Sequence, residues 1–196
     1  EQYGLTGKKI LLSVGRLTTR KGLREFVEHA LPAIVQTEPD TVLVVIGEAP
    51  KNSLGAGIQS VESIQAQAKQ HGVAGNIRFL GVITDKNLLA TAYEAAHVHV
   101  FPVRHIPDDP EGFGMVAIEA AAHGLATAAF ATGGIVDAIR HGESGYLAET
   151  NNYAELSQHI LQLLQQPITT ESIQSFAQGF AWKNFGEGVH ETIASR

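Results

Sequence analysis

Short apolar runs alternate with longer segments of helical periodicity along this chain. The runs cover residues 10–14, 42–46, 77–80, 98–101, 126–129 and 145–147. Their continuous apolar character is typical of strands that are buried on both faces of a parallel sheet. The pattern therefore predicts about six short parallel strands.

Seven segments with helical periodicity lie between and after these runs. They cover residues 23–36, 58–71, 88–95, 115–122, 135–140, 153–164 and 180–194. Pro32 is expected to kink or split the first of them. Asp85, which follows Thr84, is expected to cap the third, and Asn151 or Asn152 the sixth.

Strands joined by helices in right-handed crossovers predict an α/β fold with a Rossmann-like doubly wound parallel sheet and helices on both faces. The chain has 196 residues and 44% hydrophobic content, which is enough for one substantial core. It shows no internal repeat and no second-domain boundary, so we expect residues 1–196 to form a single domain. The first residue is Glu1 rather than Met, which suggests a processed or excised piece.

Charge and composition argue against several classes of protein. The 14 basic and 20 acidic residues give a formal charge of −6, which argues against a general nucleic-acid surface. The absence of cysteine excludes disulfides and thiolate metal sites. No apolar run approaches the roughly 20 residues that cross a bilayer. We therefore expect a cytoplasmic protein, either soluble or peripheral.

The loop after the first strand, residues 14–22, carries cations at the edge where doubly wound sheets bind ligands. Arg16 can hold phosphate oxygens with its planar guanidinium, and Lys21 adds a mobile positive charge. Together they could clamp a diphosphate. A solvated basic loop is the alternative interpretation, and we expect Arg20, which lies between them in sequence, to face water.

Glu111 and Glu119 bracket the run EGFGMVAIE. Gly112 and Gly114 make one continuous helix unfavourable. Glu111 is therefore expected in a loop, and Glu119 one or two turns inside a helix that begins at Met115. Free backbone N–H groups at that helix start could hold an anion. Donors for phosphate beside two carboxylate acceptors suit a ligand that is part phosphate and part polyol, such as a nucleotide sugar.

Two other groups of residues invite a metal-binding interpretation. Asp108 and Asp109 are adjacent in the long, proline-rich connection 102–110, but no spacing fixes a coordination shell. His97 and His99 share one face of a strand, yet a zinc site would need a third ligand. We favour solvated carboxylates and core or edge histidines, and we expect no metal.

Five motifs occur together in an order and with separations that resemble one known family. They are VGRL with KG at 14–17 and 21–22, FLG at 79–81, EGFG with EA at 111–114 and 119–120, GG at 133–134, and GESG at 142–145. This combination resembles the C-terminal, donor-binding half of family 4 glycosyltransferases, which have the GT-B fold. The resemblance runs from about residue 9 to the end of the chain and implies that an N-terminal acceptor-binding domain is absent. Residues 180–182 resemble the segment that packs back toward that domain, where we expect an exposed apolar patch.

The resemblance also implies roles for individual residues. Arg16 and Lys21 would bind the donor diphosphate and stabilise charge on the leaving nucleotide. Glu111 would contact hydroxyls of the transferred sugar, which makes these three the implied catalytic residues. The other implied donor-binding positions are Gly81 and Val82 near the base, Gly112, Phe113, Gly114, Met115 and Val116 near the sugar and phosphates, and Glu119 at the ribose.

The implied activity is retaining transfer of a hexose from a UDP- or GDP-linked donor, with no metal and no other cofactor. The implied partners are the nucleotide sugar and the enzyme's own N-terminal domain, with no nucleic acid, and a membrane surface only if the acceptor is a lipid. The chain departs from the family pattern at two places. The connection 104–110 is longer than usual, and Asp137 occupies a position where glutamate is common.

Three other functions fit parts of the pattern. The chain could be a non-catalytic nucleotide or nucleotide-sugar binding module, because half of the expected active site is absent. A glycoside hydrolase would use the two glutamates but has no need of the basic loop. A dinucleotide-dependent dehydrogenase shares the sheet, but it would carry Gly-x-Gly-x-x-Gly after the first strand, where this chain has a basic loop.

Overall fold

The computed structural model describes residues 3–50 and 57–181. Within them, six parallel strands form one sheet: β1 (Lys9–Val14), β2 (Thr41–Ile46), β3 (Ile77–Gly81), β4 (Val98–Phe101), β5 (Thr127–Phe130) and β6 (Gly145–Ala148). The spatial order is β3-β2-β1-β4-β5-β6, which is that of a Rossmann-like doubly wound sheet. Both ends of every strand lie within one residue of the prediction.

Eight α-helices connect and follow the strands in this part of the chain. They are α1 (Leu23–His29), α2 (Leu31–Thr37), α3 (Val61–Gln70), α4 (Lys86–Ala95), α5 (Met115–Ala122), α6 (Ile135–Ala138), α7 (Tyr153–Gln165) and α8 (Thr170–Gln178). The predicted first helix is divided at Ala30, and Pro32 falls in the first turn of α2, where a missing N–H costs little. Helix α8 is not among the predicted elements. The helix expected over 180–194 lies outside the described residues, apart from 180 and 181.

Polar side chains set the starts of three helices. The Asp85 carboxylate accepts from the backbone N–H groups two and three residues ahead, at 2.8 and 3.2 Å. Asn152, rather than Asn151, caps α7 at 3.1 Å. Ser60 caps α3 at 3.1 Å, which explains why that helix begins at Val61 and not at residue 58.

Helices cover both faces of the sheet, as predicted. On one face, α1, α2, α3 and α7 pack over a core that includes Leu11, Leu43 and Val98. On the other face, α4 and α5 pack over Leu12 and Val44. Because consecutive strand residues point to opposite faces, an apolar strand contributes to both cores. Helix α8 packs against α5.

The two histidines expected on one face of a strand both take part in the fold, but only His99 lies in a strand. His99 is completely buried in β4, where Nδ1 lies 3.0 Å from Thr127 Oγ1. Burial lowers the pKa of His99 to about 3, so its ring is neutral at neutral pH. His97 lies just before β4, and its Nδ1 accepts a hydrogen bond from Ile10 N at 3.1 Å. His99 is therefore in the core, whereas His97 is exposed at the amino end of β4.

Two kinds of feature are absent from the part of the chain that the structure describes. No group of three or more His, Asp or Glu side chains there is arranged to hold a metal ion. None of the helices there combines the length and the apolar character that crossing a bilayer requires.

Candidate functional site

The strand order reverses between β1 and β4, and the loops after these two strands meet at the carboxyl edge of the sheet. Such a switch point is where open α/β sheets bind their ligands. Gly22, with a φ of 67°, ends a short helical turn in the first loop. A side chain on Gly22 would overlap the carbonyl oxygen of Pro102. Glycine at this position therefore lets the first loop lie directly against the second.

Lys21 and Glu111 come from the two loops and form an ion pair, although they are 90 residues apart in sequence. Lys21 Nζ lies 2.8 Å from Glu111 Oε2, and the two side chains are 17% and 12% exposed. The ammonium also lies over the face of Phe101, 4.6 Å from the ring centroid. Burial lowers the pKa of Lys21, and Glu111 opposes that shift through its hydrogen bond and its charge. The fold thus brings two predicted site residues together and pairs them with each other.

Arg20 does not face water, so that expectation is wrong. Its Nη1 donates to Asp109 Oδ1 at 2.9 Å and to the carbonyl oxygen of Pro110 at 2.8 Å. Its Nε lies 3.5 Å from Glu111 Oε2, and the side chain is 15% exposed. The short helical turn that contains Arg20 presents it to the second loop, whose acceptors are remote in sequence. We call Arg20, Lys21, Asp109 and Glu111 the ion cluster.

The long connection after β4 is fixed by charged residues along its length. Of its two adjacent carboxylates, Asp108 is exposed, as expected. Asp109 is only partly solvated, contrary to expectation, because it forms an ion pair with Arg20. Arg104, near the start of the connection, places Nη1 3.0 Å from Glu25 Oε1. The backbone N of Arg104 donates to the carbonyl oxygen of Arg20 at 2.8 Å. None of these pairings has a local sequence signal, because each joins residues from different loops or elements.

The turn at Gly133 and Gly134 packs against the second loop, which is the connection after β4. Gly134 N donates to the carbonyl oxygen of Glu111 at 3.0 Å. A side chain on Gly134 would overlap the carbonyl oxygen of Gly112. These glycines therefore serve close packing against residues 111 and 112, and the N–H of Gly134 is already in use.

The start of α5 keeps free backbone donors, as predicted. Helix α5 begins at Met115, and this residue is 59% exposed. Among residues 3–50 and 57–181, no acceptor is bonded to the backbone N–H groups of Gly112, Phe113, Gly114, Met115 and Val116. Together with the positive end of the helix dipole, such groups favour an anion.

A more open region lies along the same edge, beyond the ends of β1, β2 and β3. A cavity of about 320 Å³ there is lined by residues that include Gly15, Arg16, Glu48 and Val82. Arg16 is exposed, and its guanidinium makes no hydrogen bond or ion pair with the rest of the described chain. Val82 is 55% exposed, and Gly81 beside it is also exposed. We call this region the outer cavity.

The outer cavity and the ion cluster adjoin each other. Arg16 and Lys21 both line a small recess of about 10 Å³, together with Gly15 and Phe101. The positive charge of Arg16 also contributes to the lowered pKa of Lys21. The two predicted cations are thus neighbours, one in the open and one enclosed.

Glu119 lies in α5, four residues past Met115, as predicted. It is exposed, and its Oε2 accepts a hydrogen bond from Tyr93 Oη at 3.2 Å. Burial and the Glu119 carboxylate raise the pKa of Tyr93, so the phenol stays protonated and donates. Glu119 does not line the outer cavity, so the structure does not bring it together with Arg16 there. Sequence reasoning missed Tyr93, because a buried helix tyrosine has no distinctive local signal.

A doubly wound sheet with two cations, a glutamate and free backbone donors at its switch point is typical of proteins that bind a nucleotide or a nucleotide-linked ligand. The comparison with protein families is specific: a family model described as "Glycosyl transferases group 1" matches residues 1–179. The chain belongs to this family of glycosyltransferases, which confirms the resemblance seen in its motifs.

Individual relatives agree with this assignment. A glycogen synthase of Mycobacterium tuberculosis is 29% identical over 183 residues, which are 91% of this chain and 40% of the relative. A GDP-mannose-dependent alpha-(1-6)-phosphatidylinositol monomannoside mannosyltransferase of Mycolicibacterium smegmatis is 27% identical over 203 residues, 100% of this chain and 50% of the relative. The crystal structure of Anabaena HepE in complex with UDP-glucose has the same fold, with a TM-score of 0.76 and 23% identity over 100% of this chain and 51% of that one. This chain therefore spans half or less of the length of these curated relatives.

Proposed function

We propose that this chain is the donor-binding domain of a retaining glycosyltransferase that moves a hexose from a UDP- or GDP-linked donor to an acceptor. The proposal is carried by the placement of Arg16 and Lys21 beside Glu111 and the free N–H groups at the start of α5. Two cations and several backbone donors match a diphosphate, and a carboxylate next to them matches sugar hydroxyls. Two of the proteins named above support the same substrate class here: the mannosyltransferase is GDP-mannose-dependent, and the Anabaena structure contains UDP-glucose.

The outer cavity would receive the base of the nucleotide. Val82 presents an apolar side chain to a base, and Gly81 leaves the adjacent backbone open. Arg16 lies in the wall of the same cavity and would reach the diphosphate. Glu119, whose carboxylate is exposed on α5, would accept hydrogen bonds from the ribose hydroxyls.

The ion cluster and the start of α5 would receive the phosphates and the transferred sugar. The backbone at Gly112, Phe113 and Gly114 would approach the sugar, and the N–H groups of Met115 and Val116 would hold a phosphate. Glu111 would accept hydrogen bonds from the sugar hydroxyls. In this arrangement Glu111 binds the sugar hydroxyls, and the acceptor hydroxyl rather than this carboxylate attacks the anomeric carbon.

Transfer would break the bond between the anomeric carbon and the diphosphate oxygen, while an acceptor hydroxyl attacks from the same face and its proton passes to the departing phosphate. Arg16 and Lys21 would stabilise the negative charge that develops on the leaving group. Lys21 is largely enclosed, so its charge acts more strongly than it would in water. We propose that these cations and the α5 N–H groups make a metal ion unnecessary.

The acceptor site would lie in a second, N-terminal domain of the parent enzyme. Supporting this, the relatives are about twice as long as this chain or longer. The exposed apolar side chains on the described surface that a second domain could cover include Met115, Val136 and Phe180. The isolated chain would then bind the donor without transferring its sugar. We place the enzyme in the cytoplasm, soluble or peripheral, with membrane contact only if its acceptor is a lipid.

Calorimetric titration of the 196-residue chain with UDP, GDP, UDP-glucose and GDP-mannose tests the proposal. We expect one nucleotide and its sugar conjugate to bind. Arg16→Ala should weaken both by about 1.5 to 3 kcal/mol, because a charge-assisted contact to the diphosphate is lost. Lys69→Ala, which removes an exposed lysine from the far end of α3, is the matched control and should leave the affinity unchanged. A wild-type chain that binds none of the four ligands would contradict the donor-domain assignment.

A further inference from the structure

Arg20 fixes the long connection after β4 at two points. Its carbonyl oxygen accepts from Arg104 N at 2.8 Å near the start of the connection. Its Nη1 donates to Asp109 Oδ1 at 2.9 Å and to the Pro110 carbonyl oxygen at 2.8 Å at the end. The chain between these points is exposed or half-buried. One residue therefore holds both ends of an excursion that leads directly into Glu111.

The Nε atom of Arg20 is buried and has no hydrogen-bond partner within the described part of the chain. Glu111 Oε2 lies 3.5 Å away, which is near enough for an ion pair but long for a hydrogen bond. The same carboxylate oxygen accepts from Lys21 Nζ at 2.8 Å. Two cations thus compete for one oxygen, and Lys21 holds it. A buried N–H without an acceptor is rare and unfavourable, so its position calls for an explanation.

A bound diphosphate would change this balance. Under the proposed function Lys21 contacts the phosphates, and its ammonium then has to leave or share Glu111. A carboxylate that is only 12% exposed is costly to leave without a cationic partner. Arg20 Nε is already directed to this region and needs to close a gap of less than 1 Å to reach hydrogen-bond distance.

We propose that Arg20 is a positioning residue for the donor sugar, which holds Glu111 against the sugar hydroxyls once Lys21 is drawn to the diphosphate. The inference rests on the proposed function and divides the site into two parts. Arg16 and Lys21 hold the phosphates, whereas Arg20 acts only through Glu111 on the sugar. Arg20 therefore affects the affinity for a nucleotide sugar more than the affinity for the free nucleotide, which also draws on Lys21 but makes no contact with Glu111.

Calorimetric titration with UDP and UDP-glucose, and in parallel with GDP and GDP-mannose, tests this division in the 196-residue chain. Arg20→Ala should weaken binding of the nucleotide sugar on the order of tenfold or more, and binding of the free nucleotide by a clearly smaller factor. Glu111→Gln should show the same selectivity. The double variant, with both Arg20→Ala and Glu111→Gln, should bind the nucleotide sugar no more weakly than Glu111→Gln alone, because Arg20 acts through that carboxylate. A second single variant, Arg20→Met, keeps an unbranched side chain that extends as far as Nε but has no N–H donor, and should reproduce the selectivity if Arg20→Ala folds poorly.

Arg78→Ala is the matched control. Its guanidinium also donates to backbone oxygens, of Gly75 at 2.9 Å and Ile77 at 2.8 Å, but it lies near the start of β3. This variant should change neither affinity. Equal weakening of nucleotide and nucleotide sugar by Arg20→Ala, or an undiminished effect in the Glu111→Gln background, would overturn the inference and leave the proposed function intact. A wild-type chain that binds none of the four ligands would instead overturn the proposed function, and the inference with it.

Discussion

The ion cluster and the outer cavity lie side by side at one edge of the sheet but are built in opposite ways. In the ion cluster, every charged side chain has a partner from the other loop, and Lys21 and Glu111 are largely enclosed. In the outer cavity, Arg16 and Val82 are exposed, and the Arg16 guanidinium is unpaired within the described residues. The two cations of one basic loop thus have different environments.

This difference separates two tasks of a binding site. A ligand that enters the outer cavity gains contacts without breaking existing ones, so this region can contribute affinity. A ligand that reaches the ion cluster must replace the contact between Lys21 and Glu111, and only a ligand with matching groups recovers that loss. We therefore expect nucleotide affinity to come mainly from the outer cavity and discrimination among sugars from the ion cluster.

Substitution of Gly22 is expected to have the largest effect, because it would push the two loops of the ion cluster apart. Gly22→Ala combines a left-handed backbone with an overlap onto the Pro102 carbonyl oxygen. Together these should lower the free energy of unfolding by roughly 3 kcal/mol, measured by urea denaturation. Gly72→Ala is the control, since Gly72 has a φ of 73° but nothing within 4 Å of an added Cβ. It should cost only about 1 kcal/mol, and equal losses for the two variants would refute the close-approach argument.

Acid is expected to lower the free energy of unfolding through His99, which packs beneath the ion cluster. The His99 ring stacks on Phe101, with centroids 5.8 Å apart, and Lys21 lies over that same phenyl ring. Burial and the charge of Lys21 lower the pKa of His99 from 6.5 to about 3. The neutral His99 ring therefore makes its full contribution to the free energy of unfolding above pH 6.5, and this contribution is lost as the pH falls toward 3. At pH 5 the loss should be about 2 kcal/mol. Urea denaturation across this range should show a flatter acid slope for His99→Leu, and an unchanged slope would exclude His99 as its source.

The smallest of these effects contrasts the two cations in the absence of ligand. Lys21→Ala leaves Glu111 with the more distant Arg20 as its cationic partner in the described part of the chain, and should lower the free energy of unfolding by about 1 to 2 kcal/mol. Arg16→Ala removes a side chain that has no partner among the described residues, and should change the free energy of unfolding by less than about 0.5 kcal/mol. Chemical denaturation of the two variants under identical conditions measures the difference. Similar losses would mean that the ion cluster is not preassembled in the way its distances indicate.

The strands of the sheet could be predicted from the sequence, because they are buried on both faces and polar loops begin directly at their ends. The missed helix α8 shows where the same approach fails. Its sequence, TESIQSFAQ, has only three apolar residues among nine, Ile173, Phe176 and Ala177, so a single short stripe had to compete with a polar majority. The contact that stabilises α8 is its packing against α5, which comes from a distant part of the chain.

The candidate site was predictable to the extent that its residues lie in ordered motifs. Arg16, Lys21 and Glu111 were identified from their loops and from the family resemblance. Arg20 and Asp109 were assigned to solvent, because each is an ordinary charged loop residue until the fold brings them within 2.9 Å across 89 positions. Hydrophobic periodicity carries no information about such a pairing.

The contacts between the loops also bear on how this domain can be recombined. Residues 102–114 rest on Gly22 and Arg20 from one side and on Gly134 from the other. A shorter connection transplanted from a homologue would lack the neighbouring loops against which it packs in its own protein. The loops therefore form one structural unit, which consists of residues 15–22, 102–114 and 133–134. We expect an exchange of donor preference between homologues to require the transfer of all three segments.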